Sequence, residues 1–259
     1  MNIKAKKSLG QNFLKDENIL KKIADSIKTN EEDLIIEIGP GTGALTKYLQ
    51  AKNSFLICYE IDLRMKEILK AYENEKTKVI FKDFLTADIY EDGTNFDYQN
   101  IYVIANIPYY ITTPIIKHLL NLTKIKSITL LVQKEVAERF SAKPKSKAYG
   151  SLTVYLNYYF NITNLFDVRR TSFYPIPNVD SSVVKFERKK ETLNIKNEKL
   201  FFKLINDSFK MKRKTLKNNL KEYDWSKIKK VLEKNHLEEN VRAEELSLEI
   251  FEQIANILS

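Results

Sequence analysis

Asn106-Ile107-Pro108-Tyr109 is a tetrapeptide suited to gripping an exocyclic amine on a planar base. The amino group of adenine is a poor nucleophile because its lone pair is delocalised into the ring. The Asn106 side-chain oxygen and the Pro108 backbone carbonyl are two acceptors for its two N–H bonds. Held in that way, the nitrogen is drawn toward a tetrahedral shape and its lone pair can point at an electrophilic methyl. Pro108 fixes the turn and biases Ile107 toward extended backbone, and Tyr109 offers a ring on which a base can stack. A methyl sulfonium is already a good electrophile, so no strong base is needed and catalysis rests on positioning and electrostatics. Read alone, the four residues describe a turn after a buried strand equally well.

A second motif supplies the matching cofactor site. Glu37-Ile38-Gly39-Pro40-Gly41-Thr42-Gly43 links an apolar run to a helix. Glycine there lets the backbone pass close to a ligand, and free N–H groups at the next helix start favour a negative group. The spacing G-x-G-x-G fits the dinucleotide pattern G-x-G-x-x-G poorly, which disfavours a dehydrogenase. Glu60, at the end of the next apolar run, is placed to accept both hydroxyls of a ribose; a solvated strand-end carboxylate is the plainer reading. Asp83, after the third run, can accept from an adenine amino group or can cap a turn. Ile61 and Phe84 are candidate apolar walls. Together the two motifs imply methyl transfer from S-adenosylmethionine to an adenine amino group. The segment Phe173-Tyr174-Pro175-Ile176-Pro177-Asn178-Val179-Asp180-Ser181 offers a second aromatic, Phe173 or Tyr174, to clamp the far face of a flipped or single-stranded base. Phe173 as a loop anchor packed on the sheet is the alternative.

The elements that must position these residues follow from apolar periodicity. Asp16 reads as the N-cap of a helix over 17–28. Short apolar runs at 34–38, 54–59, 78–81, 101–105 and 128–132 read as buried strands, with helices between them. Strands alternating with helices predict an α/β fold with a mostly parallel sheet, whose ligands bind beyond the carboxyl ends of the strands. Gly39, Glu60, Asp83 and Asn106 each fall at or just after such an end. From about Lys189 the pattern becomes helical, over 200–209, 215–220, 225–234 and 246–258. We therefore predict a Rossmann-like, class I S-adenosylmethionine-dependent methyltransferase domain over 1–188. A small all-helical domain that binds the RNA substrate is expected over 189–259.

The net charge is +9, which favours a polyanionic partner without naming it. Lys4, Lys6 and Lys7, then Lys143, Lys145 and Lys147, then Lys210, Lys212, Arg213, Lys214 and Lys217 form three basic clusters, candidates for phosphate contacts. A solvated basic surface is the bland alternative. No apolar run approaches the roughly 20 residues of a membrane span, and the basic start leads into polar residues rather than a signal core. Cys58 is the only cysteine, so no disulfide forms within the chain. A cytoplasmic monomer is expected. His118, among Ile115, Ile116 and Leu119, is expected at the solvent edge of a helix. With His236 distant from it, the histidines and the lone cysteine make no metal constellation, and no metal is assigned.

In this order the motifs resemble a known family, the ribosomal RNA adenine N6,N6-dimethyltransferases. The resemblance runs nearly end to end. It adds Leu9-Gly10-Gln11-Asn12-Phe13-Leu14 and Ala148-Tyr149-Gly150-Ser151-Leu152 to the segments above. Lys212 to Leu220 and Arg242-Ala243-Glu244-Glu245-Leu246 are similar to the branch acting on small-subunit (16S) rRNA. That branch dimethylates two adjacent adenines near the 3′ end, in an immature 30S-type particle during subunit maturation. The resemblance implies that Gln11, Asn12 and Leu14 close over the methionine end of the cofactor. It also implies that Gly39, Gly41, Glu60, Asp83 and Asn106 line the site, with S-adenosylhomocysteine as product. The chain departs from the family at Ser8 and Tyr110. Two competing readings are a large-subunit rRNA (macrolide-resistance type) or DNA adenine methyltransferase, and an RNA-binding assembly factor without catalysis.

Overall fold

The computed structural model describes every residue except 1–3, 7, 8, 108–110, 121 and 192. Pro108 and Tyr109 of the tetrapeptide, Lys7 of the first basic cluster, and the departures Ser8 and Tyr110 lie outside the described residues.

The chain divides into two compact units, one of residues 1–137 with 163–188, the other of residues 138–162 with 189–259. The first opens with β1 (Phe13–Leu14) and α1 (Glu17–Asp25), whose N-cap Asp16 accepts from the N–H groups of Asn18 and Ile19. It continues through β2 (Leu34–Ile38), α2 (Thr46–Gln50), β3 (Phe55–Glu60), α3 (Lys66–Leu69), β4 (Thr77–Phe81), α4 (Ile89–Asp92), β5 (Ile101–Asn106), α5 (Thr112–Leu120) and β6 (Ile125–Gln133). After α6 (Lys134–Phe140) and α7 (Ser151–Tyr159), β7 (Phe160–Val168), β8 (Phe173–Tyr174) and β9 (Ser181–Arg188) follow.

The main sheet has the order β4-β3-β2-β5-β6-β9-β7. Its first five strands are parallel, and β9 runs antiparallel to β6. Strands β2 and β5 are buried almost throughout, as parallel strands covered on both faces must be. The order steps outward from β2 through β3 to β4, then returns to the other side of β2 for β5. That reversal between β2 and β5 is the switch point where an open α/β sheet leaves a crevice beyond its strand ends. Gly39 and Asn106 are the residues that follow the paired Ile38 and Ala105 there.

The second unit carries α8 (Glu198–Ser208), α9 (Leu216–Asn219), α10 (Trp225–Lys234) and α11 (Leu248–Leu258) around its own apolar core. A single boundary after residue 188 does not describe this division. Tyr149, Val154 and Tyr158, from α7 and the turn before it, are buried with Phe201, Leu204 and Phe251, so residues 138–162 belong to the helical unit.

Candidate active site

A cavity of about 280 Å³ opens in the first unit at this switch point. Each expected cofactor residue lines it: Gln11, Asn12, Leu14, Gly39, Gly41, Glu60, Ile61, Asp83, Phe84 and Asn106. Five elements converge to bring them together, namely the N-terminal segment and the carboxyl ends of β2, β3, β4 and β5.

The glycine loop is a steric cradle. Its glycines 39, 41 and 43 all take positive φ, between +58° and +81°. A Cβ on Gly41 would stand 3.0 Å from the Phe13 ring, and one on Gly43 would meet the Tyr72 ring. The three glycine N–H groups are all used within the protein: Gly39 donates to the Tyr59 carbonyl, Gly43 to that of Pro40, and Gly41 to Glu60 Oε2 at 2.9 Å. The N–H groups at the start of α2, to which the expectation of a negative group applied, are a separate set from these three. A phosphate would find the three glycine donors occupied, whereas a ligand that presents hydroxyls and amines does not need them.

Glu60 is buried, and its two oxygens accept from Gly41 N–H and Asp62 N–H. Burial pushes its carboxyl above the usual range, with those backbone donors opposing. The residue lines the cavity, where its carboxyl can also accept from a ligand hydroxyl. Asp83 caps the turn Phe84–Thr86 by accepting from Leu85 N–H on Oδ1, the turn-cap reading, and also lines the cavity. Phe84 is a buried wall, edge-on to Tyr59, and Ile61 is an exposed rim. His118 is partly exposed, as expected at a helix edge, but its ring turns inward. Its ring meets Phe84 at 5.3 Å, and its Nε2 is buried with no hydrogen-bond partner.

The N-terminal segment roofs the cavity and is clasped on both sides. Gln11 Nε2 donates to Asp62 Oδ2 at 2.7 Å, and Gln11 Oε1 accepts from Lys6 N–H. The Arg64 guanidinium beside Asp62, helped by Gln11, holds that carboxyl down at about 2. On the other side β1 pairs antiparallel with β8, and Lys15 N–H donates to the Ser172 carbonyl. Asn106 Nδ2 donates to the Asn12 carbonyl at 3.4 Å. That bond uses the amide's donor end, so Oδ1 is the end left to accept from a ligand.

Phe173 is placed differently from the expected clamp. In the β1–β8 pair it stands opposite Leu14, and both are buried in the apolar core with Leu20, Ile23, Val168 and Val183. Alternation along the strand turns its neighbour Tyr174 outward, 57% exposed, with Lys15 Nζ 4.1 Å from its ring centre. Phe173 is not among the residues that line the cavity, and it is 3% exposed. Loop anchoring is the role its surroundings support.

Sequence reasoning missed Glu37. It lies on β2, is 2% exposed, and lines the cavity. Burial pushes its carboxyl up to about 7; hydrogen bonds from Thr46 and Cys58 oppose the shift, and the charge of Glu60 adds to it. A lone carboxylate within the run Leu34-Ile35-Ile36-Glu37-Ile38 was the available signal, because a parallel strand buried on both faces has no solvent side for it. Among the described residues, no group of His, Cys, Asp and Glu could hold a metal ion, and no helix is long and apolar enough to cross a membrane.

A family model described as ribosomal RNA adenine dimethylase matches residues 2–259. The chain is 42% identical to ribosomal RNA small subunit methyltransferase A of Streptococcus thermophilus, over 98% of this chain and 91% of that protein. To the protein of the same name from Clostridium botulinum it is 43% identical, over 98% and 94%. Among solved structures, a dimethyladenosine transferase from Plasmodium falciparum superposes with a TM-score of 0.75 at 27% identity, over 93% of this chain and 95% of that one. The 23S rRNA methyltransferase ErmE gives 0.75 at 24% identity, over 95% and 99%, a likeness of fold. A full-length family match, and relatives of that identity covering nearly all of both chains, make this chain a member of the ribosomal RNA adenine dimethylase family.

Proposed function

We propose that this rRNA adenine dimethyltransferase methylates N6 of two adjacent adenines near the 3′ end of small-subunit (16S) rRNA. Its methyl donor is S-adenosylmethionine, its products N6,N6-dimethyladenosine and S-adenosylhomocysteine, and its substrate an immature 30S-type particle. We read it as a cytoplasmic monomer that needs no metal. The small-subunit assignment draws on relatives named for that subunit at 42–43% identity, against 24% for the large-subunit enzyme.

The observation that carries the chemistry is Asn106 at the switch point, its amide anchored through Nδ2 and lining the cavity. The cofactor, when bound, supplies a methyl group on a positively charged sulfur. Glu60 accepts its ribose hydroxyls, Asp83 its adenine amino group, and Phe84 and Ile61 enclose the ring. The N-terminal roof of Gln11, Asn12 and Leu14 excludes water from the amino-acid end. Asn106 Oδ1 accepts one N–H of the target adenine, and the Pro108 carbonyl, from its place in the motif, takes the other. The nitrogen lone pair then forms the new N–C bond as the C–S bond breaks, and the surplus proton passes to water. Tyr109 stacks on the target base. Because all three glycine amides are engaged, the site suits this phosphate-free cofactor better than a dinucleotide.

The second unit offers the RNA grip. Its two basic loops are fixed to one short segment: Leu216 N–H donates to the Val241 carbonyl, and Lys145 N–H to that of Glu244. Asn219 ties down the loop of Lys210, Lys212, Arg213 and Lys214, accepting from Met211 N–H and donating to the Met211 carbonyl. Lys143, Lys145, Lys147, Lys212, Arg213 and Lys214 are exposed. Lys217 differs, being bridged to Glu239 and lying over the Trp225 ring. Neutralising Lys212, Arg213 and Lys214 together is expected to weaken binding to small-subunit particles. The slope of log affinity against log salt should flatten by about 2–3. An unchanged slope would take this loop out of the interface.

The deciding experiment offers labelled S-adenosylmethionine with unmethylated small-subunit particles, large-subunit rRNA and adenine-containing DNA, then maps the modified nucleotide. Label on two adjacent adenines of the small-subunit RNA is expected. Label confined to another substrate would replace this assignment, and no label with any of them would favour a purely structural role in assembly.

A further inference from the structure

Glu37 is held from behind. Its Oε2 accepts from Thr46 Oγ1 at 2.7 Å and lies 3.5 Å from the Cys58 sulfur. Thr46 comes from the first turn of α2 and Cys58 from β3, directly opposite Glu37 in the strand register, and neither has any exposure. Two fixed donors on one oxygen leave the carboxyl little freedom to rotate. No donor among the described residues meets the other oxygen, Oε1, and the residue lines the cavity. A buried carboxylate with one oxygen satisfied and one directed to a ligand space calls for a donor, and a cation serves best.

We propose that Thr46 and Cys58 are positioning residues for the amino-acid end of the cofactor. They hold Glu37 so that Oε1 meets the cofactor's ammonium group, and they make cofactor affinity depend on the ionisation of Glu37. The proposal rests on the reading of the cavity as an S-adenosylmethionine site. Its physics is a balance between burial, which disfavours the carboxylate, and the Thr46 and Cys58 donors, which favour it. An arriving cation tips that balance toward the charged form. The titratable groups facing Glu37 are few. β3 presents Cys58 and Glu60, α2 presents the uncharged Thr46, and β5 presents Ile104 on the opposite side. Burial pushes the Cys58 thiol well up, so it stays a donor through neutral pH.

The test measures dissociation constants by calorimetry between pH 6 and 8 for S-adenosylhomocysteine, which carries the ammonium, and for 5′-methylthioadenosine, which lacks it. For the first ligand, affinity is expected to rise roughly tenfold across this range, because only the ionised carboxyl pairs with the ammonium. For the second it should stay flat, which also controls for titration of Glu60, since both ligands share the ribose. Thr46→Val, which removes a donor, should move the midpoint of the S-adenosylhomocysteine profile up by about one pH unit. Thr46→Ser should restore it, and Cys58→Ala should give a smaller upward move. A purely structural role for Thr46 would weaken both ligands alike without moving the midpoint. Parallel profiles for the two ligands, or a midpoint unmoved in both Thr46→Val and Cys58→Ala, would overturn the proposal. Should Thr46→Val not fold, Cys58→Ala and Glu37→Gln decide it, the latter being expected to abolish the pH dependence. Failure of both ligands to bind at any pH would instead overturn the cofactor reading itself.

Discussion

Replacing Asn106 with alanine should lower kcat by at least about 10²–10³-fold while leaving S-adenosylhomocysteine affinity within a few-fold of wild type. The asymmetry follows from when each bond matters. The Asn106 oxygen meets a nitrogen that becomes more positive as the new bond forms, so its interaction strengthens toward the transition state. Losing one such preorganised partner costs roughly 3–4 kcal/mol of barrier in comparable sites. In the proposed reading the cofactor is held mainly by Glu60, Asp83 and the apolar walls, which the substitution leaves in place. What it takes from the roof is one long bond to the Asn12 carbonyl. Asn106→Asp keeps an acceptor and should retain more activity than alanine. Single-turnover methylation of small-subunit particles, with separate calorimetry for the cofactor, makes the measurement. Near-normal turnover in the alanine variant would remove the positioning role, and a large loss of cofactor affinity would reassign the residue to the roof.

Phe173→Ala should destabilise the first unit by about 3–5 kcal/mol, the usual cost of deleting a fully buried aromatic ring. Phe173 is 3% exposed, packs in the core below β1, and sits in the β1–β8 register opposite Leu14. Its loss opens a cavity under the cofactor roof, so weakened cofactor binding should accompany the lower unfolding midpoint. Phe173→Leu, which refills most of the space with an apolar chain, should recover most of both. A base clamp would behave in the opposite way, since leucine cannot stack and kcat would fall with stability intact. Urea unfolding and kcat on the same two variants therefore separate the two roles. Full stability in the alanine variant would refute the burial argument.

The parallel half of the sheet was readable from residue pattern because its strands are short apolar runs bounded by polar turns, and four of them end on a chemically distinctive residue. The ligand crevice could be located for the same reason: Gly39, Glu60, Asp83 and Asn106 all lie at strand ends, where such sheets bind. The stretch from 133 to 188 was harder to read. β7 is largely exposed, and Asn164-Leu165 breaks the alternation that Phe160, Ile162, Phe166 and Val168 would otherwise make. α7 is rich in aromatic and β-branched residues and is buried on several faces, which blurs helical periodicity. That is why the first of the two segments of the helical unit went unrecognised. The direction of Phe173 was equally hidden, because it depends on pairing with a two-residue strand far away in sequence. Glu37 escaped notice for a different reason. Its neighbours identify it as part of a strand, but only the fold shows which groups stand behind it.

The interrupted build of the helical unit bears on any attempt to trade it between relatives with different RNA targets. A fragment beginning at 189 would leave behind Tyr149, Val154 and Tyr158, together with the Tyr149 hydroxyl that donates to the Leu246 carbonyl at 2.9 Å. Such a fragment would expose the groove those rings fill and would aggregate or stay partly unfolded. A working chimera must graft two pieces at once, 138–162 and 189–259, because the unit is encoded as a discontinuous set.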